Sequence, residues 1–452
     1  MINDKKIIIV GAGLTGPLLA LYMEKLGFSV DLYERGNDFR KSSAYSGRSI
    51  NLALSERGIY SLKEVGLFKE IFKNLIPMKG RMIHDKEGEQ SFQRYGQFEN
   101  ECIFSVSRSY LNELLINKAE NCQNVRLYFN KQCTNYDIEK NQLVFNNNCK
   151  IDAQGPILGA DGFNSVIRES IVNKLKISCR KEKLDYGYKE ISLPANKSEF
   201  KLNQNALHIW PRKSFMVIAL PNTDKTFTCT LFYPLKGESS FESLVNRNQI
   251  EEFFIKNFGD LYKLIPNLHE QFSLNPIGKL GSVYLDNLVL ENKICLLGDA
   301  AHAIVPFFGQ GMNASFQDCS NLFKILNEEN DISKAFQKYN KTNVRNGHSI
   351  ADMALENFIE MRNDVIDDRY LIKKKVSFIL EKKYPLQFIP RYSMVSFHRI
   401  PYKEVVDRSK IQDQILDVLC QDGLNGSSIN LKLADDLISS KLSFISSDNL
   451  SR

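Results

Sequence analysis

The run from Lys5 to Glu34 constrains this chain more than any other stretch. Lys5-Lys6-Ile7-Ile8-Ile9-Val10 is apolar and β-branched, and reads as a strand buried on both faces. It leads directly into Gly11-Ala12-Gly13-Leu14-Thr15-Gly16, and then into Leu18 to Leu26, where apolar positions recur at helical spacing. Gly27 stops that helix, and Phe28 to Tyr33 forms a second strand ending at Glu34. Strand, glycine turn, helix and strand are the setting in which G-x-G-x-x-G binds a dinucleotide. Gly11 permits the tight turn, Gly13 lets the backbone approach a pyrophosphate, and Gly16 lets helix and strand pack closely. The helix start offers unpaired N–H groups and the positive end of its dipole to the phosphates. A glycine-rich turn that binds nothing is the plain alternative, and the second strand with its terminal acid argues against it. The Glu34 carboxylate suits an unphosphorylated adenosine ribose, which favours FAD or NAD over NADP here.

A chain of 452 residues is long enough for about three average domains. Its hydrophobic fraction of 43% and charged fraction of 25% are those of a globular protein. The net charge of +6 is spread along the sequence, which suits anionic small molecules and is too dilute to argue for nucleic acid. The fingerprint strand starts at residue 5, so no signal peptide is expected. No apolar run approaches the ~18 residues a membrane helix needs; Val376 to Phe397 is broken by Glu381, Lys382, Lys383 and Arg391. The nine cysteines show no paired C-x-x-C spacing. They read as small buried hydrophobes in a reducing compartment, by default the cytoplasm, and not as a disulfide framework or a metal site.

Farther along, Ser55 is placed to cap a helix from Glu56 to Val65, and Ser107 one from Arg108 to Asn121. Short alternating runs from Met78 to Phe104 read as strands. Ile157-Leu158-Gly159-Ala160-Asp161-Gly162 is a strand ending in a polar turn, with Arg168 on the helix after it. Tyr186 to Leu193, Ala206 to Trp210, Phe215 to Leu220 and Thr226 to Tyr233 read as antiparallel strands. The parallel-sheet pattern returns at Lys293 to Leu297 and ends in Gly298-Asp299-Ala300-Ala301-His302. Pro306-Phe307-Phe308-Gly309-Gln310-Gly311-Met312-Asn313-Ala314 then opens a helix through Leu326, and the rest is mostly helical and charged. Gly309-x-Gly311-x-x-Ala314 imitates a second fingerprint, but it follows a loop and no strand.

The fingerprint with Glu34, the Gly159-Ala160-Asp161-Gly162 turn and the Gly298 to His302 segment together resemble the FAD-dependent aromatic hydroxylases. Other segments are similar to the kynurenine-hydroxylating branch of that family: Gly47 to Ser55, Pro77 to His84, Ser105 to Arg108, His208 to Arg212, Ile218 to Asn222 and Asn357 to Arg362. The similarity runs from about residue 5 to about residue 403. It implies an α/β fold: a Rossmann-like FAD-binding domain (1–75, 100–180 and 275–330), an inserted antiparallel β-sheet substrate domain (76–99 and 181–274), and a helical C-terminal region (331–452) completing the substrate pocket.

By the same resemblance, Arg81 and Tyr95 would bind the carboxylate of L-kynurenine, a pairing that suits a bidentate guanidinium and a phenol. Asn357 and Tyr392 would supply further polar contacts, and Phe232, Phe307, Glu360 and Met361 would line the pocket. The cofactor positions would be Gly11, Gly13, Thr15, Gly16, Glu34, Arg35, Ala53, Arg108, Asp299, Met312 and Asn313. Asp299 would meet the ribityl chain, and the helix opening at Gly311 would turn its positive end to the flavin. Outside the family pattern each residue has a plainer reading: Arg81 a solvated strand residue, Asn357, Glu360 and Met361 one helix face. Lys373-Lys374-Lys375 reads as a solvated face, and His84 and His302 as structural, with no metal ligand set.

Two departures stand out. Eukaryotic members end in a hydrophobic membrane anchor, whereas this sequence ends in a polar tail, so no anchor is expected. Pro17 lies just inside the first helix, where the first turn tolerates it. The implied activity is 3-hydroxylation of L-kynurenine with FAD, NADPH and O2, in tryptophan breakdown or in quinolinate supply for NAD synthesis. No side chain is expected to be an obligatory acid or base, because the flavin carries the chemistry. A homodimer is compatible with this reading. The alternatives are a hydroxylase of another aromatic substrate and a flavoprotein dehydrogenase without oxygenase activity.

Overall fold

The computed structural model describes residues 6–41, 51–362, 367–420 and 429–451; residues 47–50 of the Gly47 to Ser55 segment lie outside them. The chain divides into two compact units. One comprises Met1–Asn74, Val106–Glu182 and Gly281–Asp352; the other comprises Leu75–Ser105, Lys183–Leu280 and Met353–Arg452. The helical region expected from 331 is shared between them: the long helix Ile332–Arg362 starts in the first and finishes in the second.

The first unit is built on a six-stranded sheet. Its strands follow the order Val289–Leu290, Ile294–Leu296, Ile157–Gly159, Lys6–Val10, Ser29–Tyr33, Val125–Tyr128. All neighbours run parallel except the outer Val289–Leu290 hairpin strand. Lys6–Val10 is central, and Ile7, Ile8, Ile9 and Val10 are all buried, as the unbroken β-branched run requires. Thr15–Lys25 buries nearly its whole length and packs on Gly311–Glu328 and Arg108–Glu120. An antiparallel sheet of Cys133–Asp137, Gln142–Phe145 and Lys150–Asp152 also belongs to this unit.

The second unit carries the antiparallel sheet anticipated from residues 186 to 233. Tyr186 to Leu193 pairs with Phe227–Pro234, which pairs with Met216–Pro221, which pairs with Ala206–Pro211. Gly80–His84 then runs parallel to Ala206–Pro211 and is followed by its hairpin partner Gln90–Arg94. Alternation sends Ile191, Trp210, Val217, Phe227 and Leu231 into one apolar cluster with Phe254, Phe258 and Phe272 of the following helices. A second cluster joins the helices Asp368–Lys383, Tyr402–Leu419 and Leu431–Lys441 through Val376, Leu380, Ile415, Ala434 and Ile438. Among the described residues no helix is long and apolar enough to cross a membrane.

Candidate functional site

In the first unit the three fingerprint glycines do three different things. Gly11 has φ +105, and a Cβ there would lie 2.4 Å from the Ala160 carbonyl oxygen. A Cβ on Gly16 would lie 1.9 Å from the Gly11 carbonyl oxygen, so helix and turn are in direct backbone contact. A Cβ on Gly13 would meet nothing within 4 Å. The fold needs the first and third glycines for itself and leaves the space beside the second open.

Glu34 closes over this turn. Its Oε2 accepts the Ala12 N–H at 2.7 Å and its Oε1 accepts the Gly36 N–H at 2.8 Å. A carboxylate has about four lone-pair sites, so acceptor capacity remains. Arg35, next to it, is exposed.

Two longer helices begin nearby without a side-chain cap: Thr15–Lys25 and Gly311–Glu328. Their first N–H groups are therefore available to an anion. Gly298, with φ +59, is the joint between them, since a Cβ there would lie 2.8 Å from both Thr15 Oγ1 and Ser315 Oγ. Asp299 follows it. The residue keeps an exposed surface. Burial pushes its carboxyl up, against the opposing charges of His302 and Arg108.

Asn313 is fully buried. Its Oδ1 accepts the Ser55 N–H at 2.9 Å, and its Nδ2 donates to the Ala53 and Gly309 carbonyls at 2.8 Å each. Both amide hydrogens are thus spent inside the protein, and the side chain holds two loops together. Met312 beside it is half-buried. Ser55 stands at the start of Glu56–Glu64 but makes no side-chain cap, contrary to the expectation. Its hydroxyl accepts from Gln310 Nε2 instead, at 3.3 Å. Ser107 does cap Arg108–Glu120, through the Tyr110 N–H, which leaves Arg108 exposed in the first turn.

In the second unit Arg81 and Tyr95 are brought together by one hairpin, in which Gly80 pairs with Arg94 and Arg81 with Gln93. Gly80 has to be glycine, because a Cβ there would lie 2.4 Å from the Gln93 carbonyl oxygen. Tyr95 and Tyr392 stack at 4.6 Å between centroids and 7° between planes. The Arg81 guanidinium lies 5.7 Å from the first ring and 5.4 Å from the second, within cation–π range. Arg81 Nη1 also pairs with Glu360 Oε1 at 2.9 Å, and that same oxygen accepts the Tyr370 hydroxyl at 2.8 Å.

Arg81 is 3% exposed. Burial alone would weaken its charge, but Glu360 outweighs it and the guanidinium stays protonated. Burial likewise pushes the Glu360 carboxyl up, and Arg81 more than reverses this, so it lies below the usual carboxylate range. Burial raises the Tyr95 and Tyr392 phenols. One buried donor in this cluster, Arg81 Nε, has no hydrogen-bond partner among the described residues, while the Tyr95 hydroxyl lies within hydrogen-bond reach of Tyr392 and Arg81.

Asn357, Met361 and Phe232 are buried in the same unit. Phe232 lies on the Phe227–Pro234 strand opposite Tyr188. Phe307 is buried in the first unit, in the turn Pro306–Phe308.

Tyr370 and Lys374 were missed. They stand one turn apart on Asp368–Lys383, and Lys374 is half-buried beside the Arg81–Glu360 pair instead of on a solvated face. Burial and the charge of Arg81 press its ammonium down to about 8, against the pull of Glu360. The three consecutive lysines concealed a position whose i, i+4 spacing to Tyr370 was the available signal.

Comparison with known proteins agrees with this geometry. The family described as FAD binding domain matches residues 4–340. The chain is 44% identical to the kynurenine 3-monooxygenase of Cytophaga hutchinsonii, over 91% of this chain and 93% of that one. It is 40% identical to the kynurenine 3-monooxygenase of Myxococcus xanthus, over 96% and 95%. Among solved structures it is similar in fold to a 2-methyl-3-hydroxypyridine-5-carboxylic acid oxygenase, with TM-score 0.66 and 18% identity, covering 82% of this chain and 96% of that one.

Proposed function

The chain belongs to the kynurenine 3-monooxygenase family of FAD-binding enzymes, and on that premise we propose that it converts L-kynurenine to 3-hydroxy-L-kynurenine with NADPH and O2. Bound FAD supplies the redox chemistry, accepting reducing equivalents from NADPH and delivering one atom of O2 to the aromatic ring.

The protein's part is to hold, orient and exclude water. Gly13 leaves room for the pyrophosphate against the backbone, and the uncapped start of Thr15–Lys25 offers it N–H donors. The remaining lone pairs of Glu34 suit ribose hydroxyls. Asp299, exposed beside the Gly298 joint, suits the ribityl hydroxyls, and the uncapped start of Gly311–Glu328, with Met312 and the Asn313 backbone, would face the flavin ring. Ala53 serves through the loop that Asn313 secures. Arg108 and Arg35 are exposed cations suited to the anionic cofactor.

The substrate reading is carried by the orphaned Arg81 Nε. Arg81 Nε is a buried donor without an acceptor, an arrangement that costs stability unless a ligand supplies one. A carboxylate accepts from it, with the Tyr95 ring alongside. Tyr392 stacks on Tyr95 and fixes its ring, while Asn357, Glu360, Met361 and Phe232 complete the surroundings of the amino-acid end and the aromatic ring. No residue is assigned as acid or base. Nine free thiols support a reducing compartment, the cytoplasm.

The test is aerobic NADPH oxidation by the yellow protein with and without L-kynurenine, with the product identified by mass. Stimulated oxidation with 3-hydroxykynurenine formed is expected. Stimulation yielding only hydrogen peroxide would make kynurenine an effector and overturn the substrate assignment. A protein without flavin and without oxidation would overturn the whole reading.

A further inference from the structure

Next to the Gly298–Asp299 turn lies a buried polar hub. Asp318, two turns into Gly311–Glu328 and 5% exposed, gathers three donors. Its Oδ2 accepts the Gly298 N–H at 2.9 Å and His302 Nε2 at 2.6 Å, and its Oδ1 accepts Asn343 Nδ2 at 2.8 Å. Asn343 reaches in from Ile332–Arg362, and on the same helix Gly347 makes room for the imidazole, since a Cβ there would lie 3.1 Å from the ring. Arg168, fully buried on Val166–Leu175, holds the other side of the turn through the Ala300 carbonyl at 3.0 Å. Gly298 and His302 thus hang on one carboxylate oxygen, and Asp299 lies between them in sequence.

We propose that Asp318 and His302 form a positioning pair for the cofactor site, fixing the Gly298–Asp299 turn so that the Asp299 carboxylate is presented to the ribityl hydroxyls. Neither residue touches the cofactor. The inference rests on the reading of Asp299 as a cofactor contact.

The pair also sets charge. Burial pushes the His302 imidazolium down, but the adjacent Asp318 carboxylate outweighs this and leaves it above the ordinary histidine value. The charged groups that act on it are Asp318 from the packed helix and Asp299 on its own turn, while the Arg168 guanidinium donates to the Ala300 and Phe163 carbonyls. Cys295, Cys319 and Tyr339, the titratable neighbours of Asp318, are held neutral, their protons retained by burial and by that carboxylate. The His302 charge is thus the nearest counterweight to Asp318 and opposes the upward push on Asp299. When His302 loses its proton, as pH rises through a value above the ordinary histidine one, Asp318 repels the Asp299 carboxylate uncompensated, and FAD is held less tightly.

The experiment is titration of the full-length, deflavinated protein with FAD, followed by flavin fluorescence, from neutral to alkaline pH. Asp318→Asn keeps shape and one acceptor but removes the charge, and its Kd for FAD is expected to rise about tenfold or more. His302→Gln keeps an N–H donor and removes the titration. Its Kd is expected to be weaker at neutral pH and to lack the alkaline rise seen in the parent. Folded Asp318→Asn with parental affinity would overturn the proposal. So would His302→Gln with the parental pH profile, which decides the matter even where Asp318→Asn does not fold. Asp299→Ala is the control on the premise: parental FAD affinity there removes the reading of Asp299 itself. Weakened binding in Asp299→Ala alone, with both hub variants unchanged, refutes only the hub.

Discussion

The contrast between Gly13 and Gly16 gives the most direct test of the cofactor site. In Gly13→Ala the new methyl meets no protein atom within 4 Å, and the backbone there does not occupy the left-handed region. Replacing glycine at such a position stabilises a fold by roughly 0.4–1 kcal/mol, because the unfolded chain loses freedom. The cofactor-free protein should therefore melt at the parental temperature or about 1–3 °C above it. FAD is a different matter, because the methyl occupies the space through which the pyrophosphate approaches. An overpacked methyl costs about 1–3 kcal/mol, so the Kd for FAD should rise roughly 5- to 150-fold. Gly16→Ala should behave in the opposite way. Its Cβ would lie 1.9 Å from the Gly11 carbonyl oxygen and 3.3 Å from Leu32 Cδ1, so helix and sheet must separate, at a cost above ~3 kcal/mol before any ligand is added. Thermal unfolding without cofactor, paired with FAD titration, separates the two effects. A Gly13→Ala protein that binds FAD with parental affinity, or that melts well below the parent without cofactor, would refute the reasoning.

The other perturbations concern the Arg81 cluster. Arg81→Ala removes charge-assisted bonds worth about 1.5–3 kcal/mol each; KM for L-kynurenine should rise about a hundredfold with a smaller change in kcat, and steady-state kinetics showing a KM near the parental value would contradict the pocket. Adding Glu360→Gln to Arg81→Ala should recover melting temperature but not KM, since it neutralises a carboxylate left without its counter-ion. In the parent, the Glu360 carboxyl is lower in the fold than in the unfolded chain. Its contribution is therefore present above the ordinary carboxylate range and is lost as pH falls through the depressed value; Glu360→Gln should flatten that part of an acid-unfolding profile. Lys374 is pushed the other way, from 10.5 to about 8. Between those values the unfolded chain binds the extra proton, so stability rises with pH there. Lys374→Met should raise the melting temperature most at neutral pH, with a gain that shrinks as the solution becomes alkaline; a gain independent of pH would rule out this titration.

The cofactor half of the molecule was legible because its signals are local. An unbroken Ile7 to Val10 run, glycines at fixed offsets and an acid at the end of the next strand each act within a few residues of their own position. The antiparallel strands of the second unit were legible for the same reason, through alternation. What was not legible is which distant side chain answers which. Arg81 and Glu360 are 279 residues apart, and only the family resemblance placed them together. Ser55 has the residue type of a helix cap, yet Gln310 takes its hydroxyl and Asn313 its N–H, partners that no local pattern around Ser55 contains.

His84 shows how much chemistry such partnerships carry. In isolation it reads as a structural histidine with no second ligand, which describes its surroundings but not its protons. It lies in a chain of hydrogen bonds from Asp260 through His84 Nδ1 and Nε2 to His208, and from His208 Nε2 to the Asn203 carbonyl, each 2.9 Å long. A carbonyl only accepts, so His208 Nε2 must donate to it. Burial pushes His208 down to about 4, which keeps it neutral, so its Nδ1 must accept from His84 Nε2. His84 Nδ1 then faces the Asp260 carboxylate, which already accepts the Trp210 N–H at 2.8 Å. The direction of the whole chain follows from one carbonyl at its far end, and with it the anchoring of the strand Gly80–His84 that carries Arg81.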